Sequence, residues 1–168
     1  MSTPPSNIPF KNLGLARVRL IPVTVLDPEA TTDPIELNCT SKSLPGFEDA
    51  PTWQILTDNP EQQVAETIKG KLGGMTALEF TENYDPVRQV FLSRYLRAKL
   101  TVEIVYDDPY LDFIAAITIP NCELLNPGGG TSGGETNSAG TMVIKVQPRG
   151  GGTIADLIQI ETTDRAPS

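Results

Sequence analysis

The sequence contains no histidine. That removes the commonest general base and metal ligand, together with any Ser–His or Cys–His nucleophile pair. Cysteine is nearly missing too. Cys39 and Cys122 stand alone on apolar, strand-like segments, so they read as small core side chains that need no oxidising compartment. Cations are scarce: 13 Lys and Arg against 21 Asp and Glu leave a net charge of −8, with a pI near 4.5. This excludes nucleic-acid binding by counterion release, which needs clustered Lys and Arg. No run approaches the roughly 18 apolar residues of a membrane span. Residues 1–6 also lack the charged-then-apolar layout of a signal peptide, so the expectation is a chain made and kept in the cytoplasm, with no membrane partner.

What is present is turn-rich. In 168 residues, 15 prolines and 14 glycines accompany one strong helical stretch, which points to a single, mainly β domain with long connections. Asp85-Pro86 marks the helix start, because Asp accepts orphan first-turn amides and Pro at the first position forfeits no helical bond. Behind it, Val87, Val90, Phe91, Tyr95 and Ala98 recur at three- and four-residue spacing, and Val87, Val90, Phe91 and Tyr95 are predicted to anchor the helix on the core. Arg88, Arg94, Arg97 and Lys99 gather towards the helix end, where cations offset the negative dipole pole; such a face would also suit a carboxylate-rich neighbour.

The helix lies between two strands. Leu78 and Phe80 alternate with Glu79 and Thr81, and Leu100, Val102, Ile104 and Tyr106 alternate with Thr101, Glu103 and Val105. Earlier, Val18 and Leu20 share one face before Pro22 while Val23 and Val25 share the other, which predicts a bulge or edge at Ile21-Pro22. Ile35, Leu37 and Cys39 alternate with Glu36, Asn38 and Thr40 as a strand with one polar face. Residues 1–12 read as an arm with little beyond Ile8 and Phe10 to bury. Residues 44–74 are a long, weakly patterned loop in which Trp53, Ile55 and Leu56 face Val64 and Ile68 as an extended hairpin, or one more hairpin of the core sheet. Residues 113–122 are a buried strand, 126–140 a flexible Gly- and Ser-rich loop, 141–147 another strand, and 153–161 a segment freed by Gly150-Gly151-Gly152 to pair separately. The domain thus runs over 13–161, with a polar tail at 162–168.

One cluster has chemical potential. Glu103, Asp107, Asp108 and Asp112 could hold calcium or share acid and base roles, but they lack a calcium-loop spacing and read equally as a solvated turn.

The order of these parts resembles the tail tube protein, the major tail protein of long-tailed bacteriophages. The resemblance rests on an early polar-faced strand followed by a long loop, then Leu78-Glu-Phe80-Thr-Glu-Asn-Tyr-Asp85-Pro running into a short helix and the strand over 100–106. It continues through the Gly-rich loop into Gly140-Thr-Met-Val-Ile-Lys-Val-Gln-Pro148, covering about two-thirds of the chain. A departure is that no separate immunoglobulin-like domain follows, as in some relatives. The resemblance implies a β-sandwich or flattened barrel with one flanking α-helix and extended termini, acting as a non-enzymatic structural subunit without cofactor. It implies hexameric rings stacked into a tube, with tape-measure, terminator and baseplate proteins as further partners, a place in the virion tail, and assembly in the host cytoplasm. Alternation puts Glu36, Asn38, Glu79, Thr101 and Glu103 on one wetted face; in such a tube they would line an electronegative lumen through which DNA slides without specific binding. Phe10, Phe47, Trp53, Ile55, Leu56, Arg88, Arg94 and Arg97 would serve subunit and ring contacts.

Two other readings compete. A carbohydrate-binding or adhesin-like β-sandwich would gather Trp53, Tyr84 and Tyr110 into an exposed platform. A small acid-using hydrolase would need two carboxylates of the 107–112 turn to converge in a pocket.

Overall fold

A computed structural model describes residues 7–48, 52–55, 66–69, 74–129, 140–150 and 154–165. After a 3-10 turn at Leu13–Leu15 the chain runs through β1 (Ala16–Thr24), β2 (Ile35–Leu37), β3 (Ser41–Lys42), β4 (Phe47–Glu48), β5 (Thr52–Ile55), β6 (Glu66–Lys69), β7 (Gly74–Met75) and β8 (Leu78–Asn83). Helix α1 (Pro86–Ser93) leads to β9 (Lys99–Tyr106), β10 (Phe113–Gly129), β11 (Thr141–Pro148), the short α2 (Ile154–Leu157) and β12 (Gln159–Asp164). The fold is mainly β. Its main sheet is antiparallel in the order β2-β1-β9-β10-β11-β8-β3, with β12 also paired to β10.

The sheet has to roll. β2 and β3 lie at opposite ends of this order yet are joined by Asn38, Cys39 and Thr40 alone, a link that reaches at most about 14 Å. The ladder itself stays open at that seam, since β2 pairs with β1 and β3 with β8. Inside the roll, Val18, Leu20, Phe80, Leu100, Val102, Ile104, Ile119, Leu124, Ile144 and Val146 are buried. Each such side chain contributes about 1.5–3 kcal/mol of transfer free energy. The expected bulge in the first strand is present as a register shift between Pro22 and Thr24.

Asp85 caps α1 as its sequence predicts, accepting from the Val87 N–H at 3.0 Å with Pro86 following. The predicted apolar face is corrected. Tyr95 and Ala98 are buried as expected, but Val87 and Val90 are 77% and 59% exposed and Phe91 is on the surface, while Leu92, outside the expected set, is buried. In a helix of two turns, Val87, Val90 and Phe91 form one i, i+3, i+4 stripe and Leu92 and Tyr95 a second; the shorter stripe is the one that faces the sheet. The helix also ends early, at Ser93, and tight i to i+3 bonds carry the chain to Arg97 with φ +61°.

Three further boundaries shift. β10 runs on to Gly129, so Asn126 to Gly129 are ladder partners of Lys145 to Met142 instead of loop. β12 takes in Thr162 to Asp164, which the sequence assigns to the tail. β5 and β6 pair with one another, Trp53 opposite Ile68, in a hairpin separate from the main sheet, and β4 pairs with β7 in another. Leu56 and Val64 lie outside the described residues.

Candidate assembly surfaces

Four surfaces carry the residues that the sequence singles out. The first is the outer face of the rolled sheet. Glu36, Glu79, Thr101 and Glu103 all project from it, and Asn38 is exposed just beyond β2. The face carries cations as well as carboxylates. Glu103 sits directly opposite Arg19 and accepts from its Nε at 3.0 Å; Glu79 sits opposite Lys145 at 4.0 Å; Glu36 lies 4.0 Å from Arg17. Arg149 likewise holds Glu123 at 2.9 Å. Opposite charges on facing positions stabilise antiparallel pairs, and the same register that aligns the apolar face aligns these partners. Each of the carboxylates Glu36, Glu79, Glu103 and Glu123 thus has a cation beside it.

The second surface is the seam. Arg88, predicted to reach a neighbour, turns inward instead. Its Nε donates to Glu82 Oε1 at 3.2 Å and its Nη2 to the Glu36 carbonyl at 2.6 Å. Glu82, 3% exposed on the apolar face of β8, also accepts from the Asn38 N–H at 3.0 Å. The alternation of β8 puts Glu82 in phase with Leu78 and Phe80, and that phase was the signal for a buried carboxylate needing a cation. Cys39 lies in this seam, with a pKa raised to about 11 by burial first and the Glu82 charge second. Buried Cys122, on β10, is pushed to about 12 by desolvation.

The third surface is the outward side of α1, where Pro86, Val87, Val90, Phe91 and Arg94 line one shallow depression. Arg94 pairs with Glu29 at 3.3 Å. The fourth is the N-terminal arm, whose described part packs on its own subunit: Phe10 meets Tyr106 at 4.5 Å between ring centres, and the Tyr106 hydroxyl accepts from the Asn12 N–H. Phe10 thus has an aromatic partner within its own chain. Phe47, opposite Met75 in the small β4–β7 ladder, is 46% exposed.

Two carboxylates of the acidic turn, Asp107 and Asp108, are bound up internally. Asp107 pairs with Arg165; Asp108 accepts from the Tyr106 hydroxyl at 3.0 Å and the Tyr110 N–H at 2.9 Å, and its carbonyl accepts from Arg165 at 2.8 Å. Glu103 belongs to Arg19. Among the described residues no group of three acidic or thiol ligands could hold a metal, and no helix is long and apolar enough to cross a membrane. Tyr84 and Tyr110 do not share a platform: Tyr84 is bonded to Gly140 beyond the end of β10, and Tyr110 precedes its start.

No family model matches the sequence, and no curated protein matches it. Solved structures do share its fold. A chain in the cryo-EM structure of the anti-feeding prophage (AFP) baseplate, 6-fold symmetrised, matches at a TM-score of 0.54 and 12% identity, covering 96% of this chain and 97% of that one. A chain in the structure of the AFP tube terminating cap matches at 0.51 and 11% identity, with the same coverage. A crystal structure of an Hcp protein matches at 0.42 and 10% identity, over 89% of this chain and 98% of that one. At these identities the likeness is one of fold. For the AFP baseplate and cap chains it runs end to end, so the fold as a whole is one found in those two chains.

Proposed function

We propose that this chain is a structural subunit of a phage tail or tail-like particle, forming or ending its tube. The end-to-end fold likeness to the AFP baseplate and cap chains carries this reading. Six copies would close a ring, and rings would stack into a tube in the virion tail, capped and based by other tail proteins. The wetted face bearing Glu36, Glu79, Thr101 and Glu103 would line the channel. With each carboxylate matched by a cation on the next strand, that wall offers phosphates no net positive patch to grip, so DNA would pass without specific binding. The internal engagement of the Asp107 and Asp108 carboxylates supports a non-enzymatic role. Negative-stain electron microscopy of the purified protein at high concentration tests the reading: rings or tubes are expected, and uniform monomers at every concentration would overturn it in favour of a binding module.

A further inference from the structure

Arg17, Arg19, Arg88, Arg94, Arg149 and Arg165 each lie within ion-pairing reach of a carboxylate of the same chain. Among the described residues Arg97 is the one arginine without such a partner, and Lys99, two residues on, has none either. Both line a groove of about 490 Å³ with Asn121, Glu123, Arg149 and Gly150. Glu123, the carboxylate in its wall, is already held by Arg149. A chain with a net charge of −8 therefore exposes two uncompensated cations side by side in a concave site.

The backbone singles out the same place. Among the described residues, Arg97 (φ +61°) and Asn121 (φ +57°) are the two non-glycine residues in the left-handed region, and both line this groove. Glycine would close the turn after α1 with less strain, yet a long cation stands there, fixed by its N–H donating to the Leu124 carbonyl at 3.0 Å. Opposite, the Asn121 carbonyl accepts from the Arg149 N–H at 2.7 Å. Strain held at a charged concave site is what a preorganised contact requires.

We infer that this groove receives carboxylates of a second copy of the chain at a contact between neighbouring subunits. This rests on the self-assembly proposed above. The source is at hand: each copy has an excess of eight negative charges, and exposed Asp33, Asp112 and Glu161 have no cation partner among the described residues. Arginine suits such a contact because its planar fork takes a carboxylate through two parallel bonds.

The test compares wild type with Arg97→Gly, which accepts the positive φ while deleting the charge, and with the double variant Arg97→Glu/Lys99→Glu, using sedimentation over a range of protein concentrations at low and high salt. Wild type should assemble; Arg97→Gly should need about tenfold more protein, and the double variant more still, each with an unchanged circular dichroism spectrum. The wild-type advantage should shrink at about 1 M salt, where the Debye length falls to about 3 Å. Both variants assembling at the wild-type concentration would overturn the groove contact alone. Wild-type protein monomeric throughout would overturn the proposed function and this contact with it. DNA retention lost in the variants with assembly unchanged would assign the cations to phosphate and overturn the inference.

Discussion

Arg88 on α1 holds the carboxylate of Glu82 on β8 by two bonds, at 3.2 and 3.3 Å, where the rolled sheet fails to close its ladder. The Glu82 side chain is 4% exposed and that of Arg88 25%. Because Glu82 also takes the Asn38 N–H and Arg88 the Glu36 carbonyl, one ion pair ties the helix, β8 and the β2–β3 link together. The seam is closed by side chains where it is not closed by backbone.

Arg88→Ala should therefore destabilise the subunit by about 3–5 kcal/mol, since it leaves a buried carboxylate with a single amide donor. Replacing Glu82 and Arg88 together by Met should recover much of that loss, because the desolvation cost of both charges disappears with them. Urea titration of the three proteins checks this, and a loss below about 1 kcal/mol for Arg88→Ala would show that the seam is held by other contacts.

On α1 the two stripes should separate cleanly. Val87→Ala and Val90→Ala remove exposed methyls and should each change stability by no more than about 0.5 kcal/mol. Leu92→Ala empties a fully buried site and should cost about 2–5 kcal/mol. Phe91, exposed at 37%, keeps an edge contact to Tyr95 at 5.5 Å. Denaturation midpoints in the reverse order would reinstate the Val87–Phe91 stripe as the packed face.

The contrast between these stripes shows where sequence reading succeeds and where it stops. Period-two alternation in β8 and β9, the Asp85-Pro86 cap and the phase switch at Pro22 are local signals written into adjacent residues, and each has its counterpart in the fold. A two-turn helix offers no such redundancy. Spacing groups Val87, Val90 and Phe91 with Tyr95, while burial is decided by which side the β8–α1 turn presents to the sheet. The cation partners of Glu79 and Glu103 were equally hidden, because Lys145 and Arg19 come opposite them through strand pairings 66 and 84 residues apart in the chain. The face was legible; its charge balance needed the register.

The thiols predict an alkaline limit. Ordinary cysteine titrates near 9.0, whereas burial raises Cys39 to about 11 and Cys122 to about 12. Above pH 9 the unfolded chain loses thiol protons that the folded chain keeps, so their contribution, complete below pH 9, falls as pH rises towards 11 and 12. Each thiol adds a slope of at most about 1.4 kcal/mol per pH unit. Cys122→Ala should flatten the decline of urea midpoints above pH 9, and at pH 8 Cys39 should react with iodoacetamide about a hundredfold more slowly than a free thiol. An unchanged slope, or alkylation at the free-thiol rate, would contradict the burial of these groups.

Glu79 and Glu103 differ as probes of the proposed channel wall. The Glu103 side chain is 20% exposed and bonded to Arg19, so a lysine there would oppose two cations in a half-buried pair and disturb the subunit before it reported on any cargo. Glu79 is the cleaner site: its side chain is 59% exposed and 4.0 Å from that of Lys145, itself 43% exposed. Losing such a pair costs no more than about 1 kcal/mol, so Glu79→Lys subunits should fold and assemble. Each copy then gains two positive charges on a wall that had been balanced, facing a polyanion that carries one charge per roughly 1.7 Å. Ejection from particles built with this variant should slow at low salt and recover at high salt as the attraction is screened. The double variant Glu79→Lys/Lys145→Glu swaps the pair without changing its sum, and should restore the rate. Normal tails with unaltered ejection kinetics at low salt would remove Glu79, and the face it belongs to, from the lumen.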